Sequence, residues 1–520
     1  MKSCDKITAF AISLFCCFVV GVTLNHYGVT WDEGGYILSG ESYAKWLENP
    51  SNDIIDKYWE NTHEHPPFYR IIGGITSYCL FKKFKCLDRI SAFRISILLF
   101  VFVLNYSLFC FSSELYGSKI ALIIVLSFFF LPRIFFHSHL AALDYPVTAM
   151  WFLVIYIYWK GRKGGQRWVI LAAFILGFAL LTKLNSVFLY IPIILCWLFF
   201  YGDQKESIPE RKGNLSLYRI GSGFSRLLPM FIIPPIVFFA LWPWLWKNTI
   251  ERVTELIFFH LHHFEIPVFY LWEQYIIAPW HYALVLTVMT VPLIILTPLV
   301  FGIFSVRSIN EKKTNAFLLF NAIFPILIAS LPGIPKYDGV RHFLPAFPFL
   351  CMLSGIGVKC IYKKLQKRKC GKFWISSYLF LFLLSIYFSV VKIHPFQSSY
   401  FSELAGGING AAKKGFEIEY WGNAYLETLG WLNHHSDSSF WLCMTAIDPK
   451  AYFPFAFYKE MGLLSIKVRF TSKDKADYAI LLIRQGLFDN EMWEYFLTEE
   501  PVFSVKTSNT PLVGIYKIKK

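Results

Sequence analysis

The sequence predicts a multi-pass α-helical membrane protein of about eleven transmembrane helices, with a small extracytoplasmic α/β domain at its C-terminus. Three observations predict it. Of 520 residues, 55% are hydrophobic and only 16% charged, whereas a soluble chain carries about a quarter charged residues. Apolar runs close to the length of a bilayer crossing recur up to residue 391, after which the composition changes. The basic residues gather in short connections between those runs, the pattern that orients a membrane protein.

Taken in order, the apolar runs place spans at 7–25, 91–111, 118–136, 140–159, 168–182, 184–201, 227–246, 282–304, 316–333, 343–361 and 373–391. The first is too long for a signal-peptide core and lacks a small-residue cleavage site, so it reads as a retained helix. The connections 160–167, 205–226, 307–313 and 359–372 are all basic and fall on the side of Lys2 and Lys6. By the positive-inside rule that side is the cytoplasm, and the protein sits in the plasma (inner) membrane. Lys82, Lys83 and Lys85 run against this pattern and suit contact with anionic headgroups outside. The net charge of +15 belongs to these loops, so nucleic acid is set aside as a partner. Eleven cysteines with no CxxC pair indicate neither a zinc knuckle nor a disulfide framework.

The chain therefore divides into a transmembrane domain, 1–391, and an extracytoplasmic domain, 392–520. The outer face receives a first loop at 26–90, a second at 247–281, the turn 336–342 and the tail. Between Trp31 and Glu64 the first loop holds eight acids (Asp32, Glu33, Glu41, Glu48, Asp53, Asp56, Glu60, Glu64) against Lys45 and Lys57. Segments 36–47 and 54–59 have helical apolar spacing and suit helices on the membrane surface. In the tail, 477–483 reads as a buried strand, 501–505 and 512–518 as a hairpin, and 417–433 as a helix.

The chemistry is expected at Trp31-Asp32-Glu33-Gly34-Gly35-Tyr36. Two adjacent carboxylates follow the first span, and the Gly-Gly pair is expected to turn the chain before the next helix. Acids at a membrane lip are desolvated, which favours a base; Asp32 equally fits a helix N-cap. Ionisable groups at span ends are candidates by default. Asp144 is one, although Pro146 offers it the structural task of satisfying freed backbone. Lys183 and Arg341 are two more, with snorkelling or interfacial anchoring as the alternative, and Arg133 is a similar case. His65-Pro66-Pro67 forms a stiff corner that aims Glu64 and His65. His262 and His263, with Glu64, offer a divalent-metal site, although their spacing matches no tight metal motif.

These residues carry a resemblance. Asp32-Glu33-Gly34 after a first span, His65-Pro66-Pro67, Leu143-Asp144-Tyr145-Pro146, Thr182-Lys183 and Arg341 ahead of Pro345 occur in an order that resembles GT-C glycosyltransferases. The nearest likeness is to the dolichyl-phosphate-mannose protein mannosyltransferase superfamily and bacterial aminoarabinose transferases. In the tail, His394-Pro395-Phe396, 400–407 and Tyr420-Trp421-Gly422 extend the likeness through nearly the whole chain. The resemblance implies a polyprenyl-phosphate-linked sugar donor and inverting transfer on the outer face. It implies Asp32 as catalytic base with Glu33 beside it, Lys183, Arg341, His65 and Arg133 around the donor phosphate, and Asp144 and Glu64 in support. Glu64 falls where some members hold a metal ligand. His65 stands where aminoarabinose transferases have a phosphate-contacting Lys, a departure from that pattern. No tripartite insert of the eukaryotic protein mannosyltransferases is present, so the acceptor stays open among lipid, glycan and protein.

Two other readings stand beside this one. A secondary transporter would also use Asp144 and Lys183, but no inverted repeat is visible and the charges cluster at one face. A non-catalytic scaffold of an envelope-assembly complex would use the tail as its binding module.

Overall fold

The computed structural model describes residues 3–60, 63–200, 215–262, 265–305, 312–366 and 371–519. His263 and parts of three expected basic connections (205–214, 307–311 and 367–370) lie outside them.

Helices dominate, because apolar runs that must bury their backbone polar groups satisfy them internally. The first, α1 (Ser3–Thr23), leads through a short 3-10 turn to α2 (Trp31–Glu48), α3 (Ile55–Trp59) and α4 (Phe68–Ser77). Then come α5 (Arg89–Arg94), α6 (Ile97–Tyr116), α7 (Ser118–Phe129), α8 (Pro132–His137) and α9 (Asp144–Gly164). The bundle continues with α10 (Gln166–Leu180), α11 (Tyr190–Phe200), α12 (Leu215–Ala240), α13 (Thr249–Leu261), α14 (Tyr282–Thr290) and α15 (Leu293–Ser305). It closes with α16 (Lys312–Ser330), α17 (Phe347–Gln366) and α18 (Gly371–Ile386).

Among the described residues, five helices are long and apolar enough to cross a membrane: Cys4–His26, Arg89–Tyr116, Lys312–Ser330, Arg341–Gln366 and Phe373–Val391. A sixth crossing results if α14 and α15, bent by 119° at their junction, form one span. Of the other expected spans, 140–159 falls on the continuous 21-residue α9, and the rest are shorter or broken. The run 118–136 is interrupted at Leu131, because Pro132 cannot continue the preceding helix and instead starts α8. The run 184–201 opens as a 3-10 segment, Leu184–Leu189, before α11. Helices α15 and α17 cross very closely: a Cβ on Gly302 would stand 1.9 Å from the Leu353 carbonyl oxygen, and one on Gly357 1.8 Å from that of Pro298.

The first loop is more helical than its sequence suggests. Helix α2 starts at Trp31, not at Tyr36, and Gly34 and Gly35 lie within its first turns instead of breaking it. Gly34 serves a close approach: a Cβ there would fall 2.7 Å from Phe453. The second loop contains a two-stranded hairpin, β1 (Val268–Tyr270) and β2 (Glu273–Tyr275), antiparallel with Val268 opposite Tyr275.

The tail adds α19 (Gly407–Ala412), α20 (Leu429–His434), α21 (Phe453–Glu460) and α22 (Asn490–Thr498) around a five-stranded sheet. Its strands β3 (Ser439–Leu442), β4 (Arg469–Phe470), β5 (Tyr478–Leu482), β6 (Phe503–Thr507) and β7 (Thr510–Lys517) lie in the order β4-β3-β5-β7-β6. The central β5 is parallel to β3 and antiparallel to β7, and the β6–β7 hairpin closes the edge. The strand and hairpin expected at 477–483, 501–505 and 512–518 are present. The helix expected over 417–433 is not. Glu419 turns its carboxylate back onto the N–H groups of Tyr420, Trp421 and Gly422 (2.9, 3.0 and 3.2 Å), and Gly422 takes a left-handed φ of 77°. Helical structure resumes only at Asn423–Thr428 and α20.

The element that fixes the first loop against the bundle is Arg94, on α5. Its Nε and Nη2 donate to the two carboxylate oxygens of Glu33 at 2.7 and 2.6 Å, and both side chains are buried. The same guanidinium serves the carbonyls of Leu24, Tyr27 and Gly28 at 3.3, 2.8 and 2.7 Å. Glu33 also accepts from the backbone N–H groups of Thr30 (2.8 Å) and Ala141 (2.7 Å). Removing one partner leaves a buried charge uncompensated, at a cost of about 3–5 kcal/mol. Glu33→Gln and Arg94→Lys are therefore expected to lower Tm and folded yield in detergent. Lys519→Ala, which removes a solvent-exposed pair with Glu499, leaves both unchanged.

Candidate active site

The site assembles at the start of α2. Thr30, in extended conformation, is the N-cap, and Glu33 at the third helical position reaches back to it, so a capping box begins the helix. Asp32 is therefore not the cap. Successive residues of a helix lie about 100° apart around its axis. While Glu33 points inward to Arg94, Asp32 lines a cavity of about 720 Å³. The first N–H of α2, on Trp31, is satisfied by the Trp421 carbonyl at 3.2 Å, which ties the tail to the helix start.

Arg341 reaches Asp32 from 309 positions along the chain. The preceding turn places Asp338 and Gly339 at φ of 55° and 68°, left-handed values that Asp tolerates and Gly favours. The turn delivers Arg341 at the start of a 3-10 segment, Arg341–Ala346, ahead of α17. Its Nη1 lies 2.8 Å from Asp32 Oδ2 and 3.2 Å from Asp338 Oδ2. The guanidinium plane stacks over Trp421 and Tyr337, 4.8 and 5.0 Å from their ring centres. A second pair faces the same cavity: Asp144, the first residue of α9, accepts from Lys183 Nζ at 2.6 Å. Lys183 occupies the extended residue between α10 and the 3-10 segment, so its side chain leaves the bundle toward the cavity.

His65 and Glu64 also line the cavity, held at the Pro66-Pro67 corner. Buried Arg70 on α4 anchors this corner by donating to the His65 carbonyl and, at 3.0 Å, to Ser39 Oγ. Desolvation, followed by the nearby cations Arg70 and Lys183, pushes the His65 imidazole well below its ordinary pKa. A neutral ring there orients a ligand by hydrogen bonding and adds no charge. Apolar side chains, among them Trp151, Leu184, Phe188, Pro325, Ile328 and Pro335, also line the cavity. The cavity thus combines the carboxylates of Asp32, Glu64, Asp144, Asp338 and Asp448 and the cations Lys183, Arg341, Lys450 and Arg484 with a largely apolar lining.

Three sequence candidates lie elsewhere. Arg133 is buried beneath the Asp338-Gly339 turn, stacked on Phe401 at 4.9 Å, with Nε donating to the Tyr400 carbonyl at 3.4 Å, and does not line the cavity. Glu33 is enclosed with Arg94. His262 is exposed at the end of α13, where Nδ1 donates to the Phe258 carbonyl at 3.1 Å. Among the described residues no three His, Cys, Asp or Glu side chains are grouped to hold a metal ion, and the expected third ligand, His263, lies outside them. Of the expected set, Glu64 lines the cavity and His262 does not, while His263 lies outside the described residues.

Two residues that sequence reasoning passed over belong to the cluster. Asp338 accepts from Trp421 Nε1 at 3.0 Å, and its Oδ1 lies 2.7 Å from Arg484 Nη2. Arg484 follows β5 and also donates to the Tyr420 carbonyl at 2.8 Å. A cation closing a run of buried apolar strand residues was the available signal for Arg484. The Asp-Gly turn three residues before Arg341 was the signal for Asp338. From the tail, Asp448 and Lys450 reach the same cavity, as does His260 from α13.

Residues 65–221 match the family described as dolichyl-phosphate-mannose-protein mannosyltransferase, a stretch that includes His65, Asp144 and Lys183. No curated protein matches in sequence. Among solved structures, ArnT from Cupriavidus metallidurans bound to undecaprenyl phosphate aligns with a TM-score of 0.52 and 13% identity, covering 98% of this chain and 97% of that one. The same protein in its apo state aligns with a TM-score of 0.52 and 14% identity over the same shares. The likeness to GT-C glycosyltransferases read from the motifs is borne out: the chain resembles the dolichyl-phosphate-mannose-protein mannosyltransferases in sequence over 65–221 and carries the fold of ArnT over nearly its whole length.

Proposed function

We propose that the protein transfers a sugar from a polyprenyl-phosphate-linked donor to a hydroxyl-bearing acceptor on the extracytoplasmic face of the plasma membrane, with inversion and with Asp32 as base. The observation that carries this reading is one cavity lined both by Asp32, Arg341 and Lys183 and by apolar side chains. An apolar chamber suits a prenyl chain, and the bound lipid of the structurally similar ArnT is a polyprenyl phosphate.

In the proposed step the acceptor oxygen attacks the anomeric carbon from the face opposite the phosphate. Its proton passes to the Asp32 carboxylate, the new C–O bond forms, and the bond from the anomeric carbon to the phosphate oxygen breaks. Polyprenyl phosphate departs with the bonding electron pair. Lys183 and Arg341 stabilise the charge that develops on this leaving group, and in a site screened from water such fixed cations act more strongly than solvent does. Asp144 and the Asp32–Arg341 contact hold the two cations in place before the donor arrives. One displacement needs one base and one leaving group, so a second carboxylate of the hydrolase kind has no task here.

Three measurements test this reading. Asp32→Asn keeps the shape and removes the basic oxygen, so transfer of radiolabelled sugar from polyprenyl-phosphate donors falls by roughly 10²–10⁴-fold with donor binding retained. Full activity in Asp32→Asn removes the base from the scheme. For the cations, Arg341→Lys loses both the fork and the stack on Trp421 and Tyr337, and kcat/KM falls by about 10–100-fold, the scale of a lost hydrogen bond between charged groups. Lys183→Arg preserves a point charge within reach and is milder; equal, near-wild-type rates for both swaps take the pair out of the donor site. A reporter active only outside the cytoplasm, fused after Lys520, is active if the tail is extracytoplasmic, and an inactive reporter reverses the assigned face.

A further inference from the structure

We infer that Arg484 and Asp338 are positioning residues for the reaction: the tail sets the aim of Arg341, and through it the state of Asp32, by way of a four-member chain of charges. This rests on the reading of Asp32 as base. The chain is continuous. Asp32 Oδ2 is 2.8 Å from Arg341 Nη1, the same Nη1 is 3.2 Å from Asp338 Oδ2, and Asp338 Oδ1 is 2.7 Å from Arg484 Nη2. Two carboxylates thus share one guanidinium nitrogen, and the second is held back by a guanidinium that belongs to the tail.

The geometry makes the coupling directional. Asp338 is buried, and a buried carboxylate needs cationic and hydrogen-bonding partners. It has three: Arg341, Arg484 and the Trp421 indole. With Arg484 in place, Asp338 draws on Arg341 only in part, and Arg341 stays within reach of Asp32. Without the Arg484 charge, Asp338 draws Arg341 toward itself and away from Asp32. Arg484 is itself fixed, by the Tyr420 carbonyl at 2.8 Å and by stacking 5.0 Å over the Trp31 ring, so its aim is built in. Trp31 is the residue before Asp32, and Trp421 stacks beneath Arg341. The tail therefore frames the catalytic pair from two sides.

A through-space effect of the Arg484 charge and a positioning effect relayed by Asp338 make different predictions in a double-mutant cycle. The readout is the acid limb of the pH dependence of kcat/KM, per folded molecule, with labelled polyprenyl-phosphate sugar. Arg484→Gln lets Asp338 draw Arg341 away from Asp32, and the acid limb moves to higher pH by about half a unit or more. In an Asp338→Asn background the relay is already cut, and adding Arg484→Gln moves the limb no further. The other ionisable groups that face the cavity with Asp32 are unchanged in all these variants: Tyr36, Glu64 and His65 from the first loop, Asp144, Lys183, His260 on α13, Tyr337 and His342 beside Arg341, and Asp448 and Lys450 from the tail.

Equal shifts in both backgrounds, or none in either, overturn the inference. Should Asp338→Asn fail to fold, Arg484→Lys decides. Its shorter ammonium keeps the charge but cannot serve Asp338 and the Tyr420 carbonyl together, so positioning predicts an upward shift and a through-space effect predicts none. Asp32→Asn, measured alongside, separates this inference from the function it rests on. Full activity there overturns the base assignment, whereas an inactive Asp32→Asn with an additive cycle overturns only the role of Arg484 and Asp338.

Discussion

The buried pairing of Arg94 with Glu33 is the constraint on which the site depends. A guanidinium carries five N–H donors, and Arg94 has five acceptors: two oxygens of Glu33 and the carbonyls of Leu24, Tyr27 and Gly28. Residues 27–30, between the 3-10 turn and α2, are buried and irregular, so their carbonyls have no ladder of their own to satisfy them. One side chain supplies them and pins the first turn of α2. The cost of desolvating two charges is offset only because every donor finds a partner. The direction in which α2 leaves the bundle, and hence the facing of Asp32, follows from that pairing.

Two neighbouring acids thereby take opposite tasks. Glu33 belongs to the architecture, and Asp32, one step around the helix, belongs to the cavity. Adjacent identical charges in a sequence read as a functional pair, but a helix separates them by about 100°, and only one can face a given chamber. The tail takes part in the same division. It satisfies the first N–H of α2 through Trp421, stacks an indole under Arg341, and encloses Asp338 with Arg484.

Much of the architecture was legible because membrane insertion writes itself into composition: long apolar runs, few charges, basic connections. The hairpin β6–β7 was legible from alternation around a polar turn. Helix ends were not, since a single proline after Leu131 divides one apolar run into two helices without changing its hydrophobicity. Gly34-Gly35 misled for a similar reason. Glycine marks a turn when the backbone needs freedom, but here it marks space, and the side chain that fills that space, Phe453, is more than 400 residues away in sequence. Of the candidate residues brought together at the cavity, Arg341, Asp144 and Lys183 were visible as charges at the ends of apolar runs, Asp32 as one of two acids after the first run, and Glu64 and His65 as the residues before a stiff Pro-Pro corner. Arg133 carried the same signal, yet the structure uses its guanidinium under a turn, stacked on Phe401. Asp338 and Arg484 were hidden because their meaning lies in each other: neither stands in a motif, and 146 positions separate them.

The contact between Gly34 and Phe453 makes the tail and the bundle a matched pair. The α2 helix is shaved to backbone at the one place where the tail's aromatic ring leans on it, so the two surfaces must be inherited together. A tail borrowed from a relative that lacks an aromatic group at that position would leave a groove beside the first turn of α2, open to water. A bundle with alanine at residue 34 would push the tail outward, and with it the ring beneath Arg341. A tail exchanged into this architecture has to bring with it the first turn of α2 that it covers.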